Sequence, residues 1–274
     1  MAQSVTVPSI RARKRANGDR PIVMLTAYDA PGARIADAAG VDVILVGDSL
    51  ANVVLAHPDT LQVDVDVMAH HVAAVARTSP RALVVGDMPW LSYHVSIEDT
   101  VRNAARLVRA GAGAVKLEGG RQRVPMVEAL VAAEIPVMGH LGLTPQSVHA
   151  MGGFKVQAKE EAAAEALQLD AKALAAAGCF AVVLEGIPDV VAARVTETID
   201  VPTIGIGAGA ACDGQVLVFH DLLGLSEGRA PKFVRRYADL AGLATAAVAS
   251  WAEDVRSGAF PSDAESYHLP SSAG

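Results

Sequence analysis

The sequence predicts a (β/α)8 barrel, and three observations carry that prediction. Short, near-continuous apolar runs alternate with Ala-rich helical stretches, the pattern of a parallel sheet covered on both faces. Eight such runs fall within about 200 residues, close to the usual size of this fold. Nearly every run ends in a charged or polar residue, as expected where strand C-termini converge on one mouth. An open doubly wound sheet is the alternative, and the charged strand ends tilt the reading away from it.

The strands are expected at "IVMLTAYD" (22–29), "VDVILVGDS" (41–49), "ALVVGDMP" (82–89) and "AVKLEGG" (114–120). They continue at "PVMGHLGLT" (136–144), "AVVLEGIP" (181–188), "PTIGIGAG" (202–209) and "QVLVFHDLLG" (215–224). Helical stretches such as "APGARIADAAG" and "KEEAAAEALQLDAKALAAAG" lie between them. "SIEDTVRNAARLVRAG" opens on Ser96 with Asp99 three residues on, close to a capping box, and stops at Gly111. The link "ACDG" between strands seven and eight is too short for a helix. Residues 232–258 read as a last helix, and the final dozen residues, rich in Ser and Pro, are expected to fray. Residues 1–274 are thus expected to form a single barrel domain with an N-terminal helical segment and a C-terminal helix and tail.

The chain has 274 residues, 51% hydrophobic and 19% charged, enough for one large core. Its net charge of -7 disfavours a nucleic-acid surface, and the short basic run "RARKR" (11–15) reads as a solvated face. Cys179 and Cys212 lack CxxC spacing, which suggests a reducing compartment. With no apolar leader segment and no run of 18 apolar residues, a cytoplasmic protein with no membrane partner is expected.

The strand ends carry the chemistry: Tyr28, Asp29, Asp48, Ser49, Asp87, Lys116, Glu118, His140, Glu185, His220 and Asp221. Singly, each reads equally well as a helix cap or loop charge. Asp48, Asp87 and Glu118, however, close three consecutive strands, which a right-handed barrel places side by side. Three oxygen ligands without cysteine suit a hard divalent cation, Mg2+ first. Lys116 lies deeper on the face of Glu118. It reads as a structural ion pair, a cation for an anionic substrate, or a Schiff-base lysine. Glu185 occupies the matching position on strand six and suits a general base. His140 lies between, as a substrate ligand or a satisfied core histidine. "GIGAGAACDG" (205–214) lacks the GxGxxG spacing and following helix of a dinucleotide site. "GGF" (152–154) sits in a long loop of the sort that forms a lid or substrate wall.

Together, "MLTAYD", "ILVGDS", "AVKLEGG", "GHLGLTPQS", "GGFKVQ", "VVLEGIP" and "IGIGAG..CDGQVLV" resemble the ketopantoate hydroxymethyltransferase (3-methyl-2-oxobutanoate hydroxymethyltransferase) family from about Ile10 to Phe260. The resemblance implies a barrel of the phosphoenolpyruvate/pyruvate type. It implies transfer of a hydroxymethyl group from 5,10-methylenetetrahydrofolate to 3-methyl-2-oxobutanoate, in pantothenate and coenzyme A synthesis. It further implies Mg2+ at Asp48 and Asp87 with Glu118 as third metal-associated carboxylate. Asp48, Ser49, Asp87 and Lys116 would contact the keto acid, and Glu185 would accept the proton. A homodecamer, a pentamer of dimers, is expected. The stretch "LAHPDTLQVDVDVM" and the variant "VVGDMPW" depart from the family pattern around strands two and three. Three rivals stand beside this reading: a metal-free Schiff-base aldolase using Lys116, a small-molecule binding protein, and another carbon–carbon bond enzyme of the same superfamily acting on 2-oxo acids.

Overall fold

The computed structural model describes residues 4–14, 18, 20–226, 228 and 230–269. Eight parallel strands close a barrel in sequence order: β1 (Ile22–Thr26), β2 (Val43–Val46), β3 (Leu83–Asp87), β4 (Ala114–Glu118), β5 (Val137–Gly142), β6 (Ala181–Glu185), β7 (Thr203–Ile206) and β8 (Gly214–Leu217), with β8 pairing back to β1. Closure satisfies every strand edge, so the open-sheet alternative falls away. Helices separate most of the strands. Ile97–Arg109 starts where Ser96 Oγ accepts the Asp99 N–H at 3.1 Å, with acidic residues in its first turn and arginines in its last. No helix joins β7 to β8, as expected.

The strand pleat sorts the interior into an apolar floor and a polar mouth. Leu83, Val85, Ala114, Met138, Ala181 and Val183 belong to one buried apolar cluster, together with residues of the other four strands. Two residues further along the same faces stand Asp87, Lys116 and Glu118, His140, and Glu185. The floor is plugged from outside the sheet by the helix Val7–Arg11, capped by Thr6, whose Ile10 is fully buried in that cluster.

Three expectations are corrected. The run 215–224 is not one strand: β8 ends at Leu217, and Phe219–Leu223 is a short helix carrying His220 and Asp221. These two residues therefore do not stand at a strand end. The basic run is not a solvated face throughout. Arg13 pairs with Asp42 at 2.6 Å, and Lys14 turns inward to Asp213 at 2.9 Å; Arg15 lies outside the described residues. The last helix is Leu240–Ser257 rather than 232–258, because Asp239 caps it by accepting the Gly242 N–H. Of the tail expected to fray, Asp263–Glu265 forms a capped turn, and 270–274 lie outside the described residues.

Two compact units are distinguished. One holds the barrel through Phe219 together with Pro231–Val234; the other holds His220–Ala230 and the chain from Arg235. Within the second, Leu240–Ser257 buries none of its residues and exposes Leu243, Val248, Trp251 and Val255. Among the described residues no helix is long and apolar enough to cross a membrane.

Candidate active site

The strand ends β2 to β6 bring six of the expected residues into one cluster. Register sets the neighbours: Asp87 lies beside Lys116 on adjacent strands, and Glu118 beside His140. Lys116 Nζ is 2.8 Å from Asp87 Oδ1, 3.1 Å from His140 Nδ1 and 4.0 Å from Glu118 Oε1. His140 joins two carboxylates, with Nδ1 3.2 Å from Glu118 Oε1 and Nε2 3.2 Å from Glu185 Oε2. Asp48, just past β2, is tied in by its N–H, which donates to Asp87 Oδ2 at 3.1 Å. Ser49 stands at the edge of the cluster, its Oγ 2.8 Å from Tyr28 Oη. Asp29 takes the structural role: it caps the helix Ala30–Ala38 by accepting the Gly32 N–H.

Two residues that the sequence reading did not single out complete the network. Gln146 Nε2 donates to Asp48 Oδ2 at 2.9 Å and to the Met88 carbonyl at 3.0 Å, while its backbone N–H donates to Glu118 Oε2 at 3.0 Å. Tyr93 Oη donates to Gln146 Oε1 at 2.6 Å and accepts the Glu118 N–H at 3.1 Å. Both residues are buried in the loops after β5 and β3. Gln146 stands inside the quoted motif "GHLGLTPQS", which was the available signal; Tyr93 follows the variant "VVGDMPW" and had none.

Burial sets the electrostatics. Four carboxylates face one lysine and one histidine, an excess of negative charge in a site where Asp48, Asp87 and Glu118 are each at most 4% exposed. Burial, then the charges of Asp87 and Glu118, push the Asp48 carboxyl well above the usual range; burial also raises Asp87 against the pull of Lys116. Glu118 moves the other way, because His140, Lys116 and the Gln146 N–H outweigh burial. Lys116 is made more basic: burial opposes its charge, but Asp87, Glu118 and Asp48 outweigh it. For His140, burial and Lys116 lower the pKa, yet Glu118 and Glu185 raise it to about 9. His140 Nδ1 cannot accept from Lys116 and donate to Glu118 at once. With the ring protonated, the Glu118 contact is the attractive one.

The fit to a hard cation follows from these contacts. Among the described residues no three His, Cys, Asp or Glu side chains are gathered as a ready-made metal cage. Lys116 separates Asp87 from Glu118, and Gln146 takes an oxygen of both Asp48 and Glu118. Asp87 Oδ1 and Glu118 Oε1 are nevertheless buried without an aligned hydrogen bond; the Lys116 and His140 contacts are ion pairs off the bonding angles. An all-oxygen donor set with orphaned acceptors on Asp87 and Glu118 suits Mg2+, which commonly takes one or two carboxylates and keeps its waters. Asp48, Asp87 and Glu118 are the residues that would hold it.

Glu185 differs from its neighbours in access. Its side chain is 17% exposed and lines a cavity of about 710 Å³ with Leu143, Phe154, Lys155, Ile187 and Phe233. The loop containing "GGF" supplies one wall of that cavity. Gly142 permits the close approach of β5 to β6 there: its φ is +93°, and a Cβ would stand 2.2 Å from the Glu185 carbonyl.

Comparison with known proteins places this architecture. The solved structure of 2,3-dimethylmalate lyase, a PEP mutase/isocitrate lyase superfamily member, aligns over 93% of this chain and 89% of its own with a TM-score of 0.59 at 21% identity. Phosphonopyruvate hydrolase in complex with oxalate and Mg++ aligns over 96% and 92% with a TM-score of 0.61 at 15% identity. At these identities the likeness shows the fold alone, a closed eight-stranded parallel barrel. Sequence relatives are much nearer. The 3-methyl-2-oxobutanoate hydroxymethyltransferase of Methylobacterium sp. (strain 4-46) is 62% identical over 97% of this chain and 91% of its own length. The 3-methyl-2-oxobutanoate hydroxymethyltransferase 2 of Bradyrhizobium diazoefficiens is 59% identical over 98% and 91%. The family described as ketopantoate hydroxymethyltransferase matches residues 4–263, and with relatives this similar over nearly their whole length the chain belongs to the ketopantoate hydroxymethyltransferase family.

Proposed function

We propose that this chain transfers a hydroxymethyl group from 5,10-methylenetetrahydrofolate to 3-methyl-2-oxobutanoate, giving ketopantoate, with Mg2+ held at Asp48 and Asp87. The observation that carries the reading is Glu185, which belongs to the buried cluster through His140 and also opens onto a large cavity. A base in that position serves a substrate held at the cluster and faces the space from which a second reactant arrives. A bound divalent cation would polarise the 2-oxo group and acidify the C3 proton.

The residues of the chain do the rest. Glu185 takes the C3 proton, a step in which a placed base is typically worth ~10²- to 10⁴-fold. His140 contacts Glu185 from one side and Glu118 from the other, orienting both carboxylates toward the substrate. Lys116 and Ser49 are assigned to the substrate carboxylate, whose charge is present throughout, so they contribute binding rather than rate. The Schiff-base alternative requires a neutral amine. Lys116 sits among carboxylates that keep it protonated, which argues against that role.

The test is exchange of the C3 proton of 3-methyl-2-oxobutanoate in D2O without folate. Exchange should depend on Mg2+, stop with EDTA and return when the metal is restored. Exchange that survives EDTA, with borohydride trapping of Lys116, would establish the Schiff-base aldolase instead. None above background would leave a binding protein, and exchange of other keto acids in preference would point to a different superfamily enzyme.

A homo-oligomer, a decamer as the family resemblance implies, is part of the same reading. It is supported by the apolar side chains that Leu240–Ser257 leaves exposed. Light scattering should return a multiple of the 28.2 kDa chain mass, and a monomer would overturn it.

A further inference from the structure

Each of the three carboxylates that would hold the cation has one oxygen engaged by an N–H. Asp87 Oδ2 accepts the Asp48 N–H at 3.1 Å, Asp48 Oδ2 accepts Gln146 Nε2 at 2.9 Å, and Glu118 Oε2 accepts the Gln146 N–H at 3.0 Å. Two of those three donors belong to one residue, on a loop that supplies none of the carboxylates. Local structure explains the backbone donor. Gln146 is second in the short turn Pro145–Ser147; Pro145 has no N–H, and that of Ser147 bonds the Thr144 carbonyl at 2.8 Å. The Gln146 N–H is the spare donor of the turn. Neighbours fix the side-chain donor. The Met88 carbonyl, 3.0 Å away, can only accept, so the amide nitrogen must face it. Tyr93 Oη takes the Glu118 N–H at 3.1 Å and gives its one proton to Gln146 Oε1 at 2.6 Å. Reversed, the amide would set its oxygen against both the Met88 carbonyl and Asp48. Gln146 and Tyr93 are 5% and 0% exposed, so water does not replace these bonds.

We propose that Gln146 is a positioning residue for the divalent cation: braced by Tyr93, it holds one oxygen of Asp48 and one of Glu118 and leaves the other oxygen of each for the ion. This rests on the Mg2+ reading of the cluster. The division of labour within each carboxylate supports it. Glu118 Oε2 is bonded while its Oε1 is buried without an aligned hydrogen bond, and Asp87 is divided in the same way between Oδ2 and Oδ1. A carboxylate free to rotate would have to be ordered when the ion binds; one pinned by an N–H is ordered already. Asp48 and Glu118 stand at the ends of β2 and β4, which are not neighbours, and the single glutamine spans them.

The test is equilibrium binding of Mn2+, read from the loss of its free EPR signal, with and without 3-methyl-2-oxobutanoate. Gln146→Met keeps the length of the side chain and removes its hydrogen bonds. Its Kd for Mn2+ should rise about 10- to 100-fold, the usual cost of losing a group that orients metal ligands. Tyr93→Phe removes only the hydroxyl and keeps the ring against His94 and Arg123. Its Kd should rise about threefold to tenfold, the worth of one hydrogen bond. In both variants kcat at saturating metal should return to within about threefold of the unsubstituted enzyme's, because Gln146 is assigned to the carboxylates and not to the keto acid. A residue that merely filled space would leave Kd unchanged, or lower kcat in a way that added metal does not restore. Either result overturns the positioning role. If Gln146→Met does not fold, Tyr93→Phe decides: weaker Mn2+ binding supports the brace, and equal binding overturns it. Absence of Mn2+ binding by the unsubstituted enzyme instead sinks the Mg2+ reading, and the inference with it.

Discussion

Glu185→Gln is expected to lower kcat by about 10²- to 10⁴-fold, the usual worth of a placed general base, while the KM for the keto acid stays within threefold. Glutamine keeps the size of the side chain and a polar contact with His140 Nε2, which lies 3.2 Å from the present carboxylate. It cannot accept a proton. The alternatives in the cluster are already committed. Glu118 accepts the Gln146 N–H through one oxygen and faces His140 through the other, and its carboxyl is held below its usual range despite burial. Asp87 is paired with Lys116, and Asp48 is held by Gln146. Measured together, C3 exchange and full transfer should fall in parallel in the variant. Near-normal turnover would remove Glu185 from the role, and a rise in KM with kcat intact would make it a binding residue.

The cluster was legible in the sequence because strand geometry is regular. Side chains two apart share a face and consecutive strands lie side by side, so Asp87, Lys116, Glu118, His140 and Glu185 could be gathered from alternation alone. Gln146 and Tyr93 could not. They reach back from loops whose path follows no period, and a glutamine or tyrosine in a loop is not unusual until its burial is known. The same limit explains the end of the barrel. "QVLVFHDLLG" is apolar enough for a strand throughout, and a short apolar run does not distinguish a buried strand from a buried helix. The break comes from a tertiary contact, the Phe219 N–H donating to Thr26 Oγ1 at 2.9 Å, which no local pattern encodes. Lys14 was misread for a related reason: in a run of basic residues nothing local tells which one turns inward.

That lysine supports the second large prediction, Lys14→Met, which should destabilise the protein by about 3–5 kcal/mol, the range for breaking a buried pair by removing one partner. Its Nζ donates to the carbonyls of Thr196 and Val201 at 2.6 and 3.2 Å and to Asp213 Oδ2 at 2.9 Å, at the closed end of the barrel. The Asp213 side chain is 1% exposed and that of Lys14 12%, so solvent screens the pair little. Methionine preserves the stem but takes the cation from a buried carboxylate that still accepts the Thr203 N–H at 2.8 Å and Oγ1 at 3.2 Å, and it strands two carbonyls. For a chain of this size such a loss lowers Tm by about 10 °C. The double variant Lys14→Met/Asp213→Asn should recover part of it, because the amide oxygen can still accept from Thr203 and no charge is left unpaired. Because the active cluster lies at the opposite end of the strands, kcat at 25 °C should stay within twofold in both variants. A shift in Tm of under 3 °C for Lys14→Met would show that the pair merely offsets its own desolvation. A double variant as unstable as the single one would place the cost in the stranded carbonyls rather than in the carboxylate.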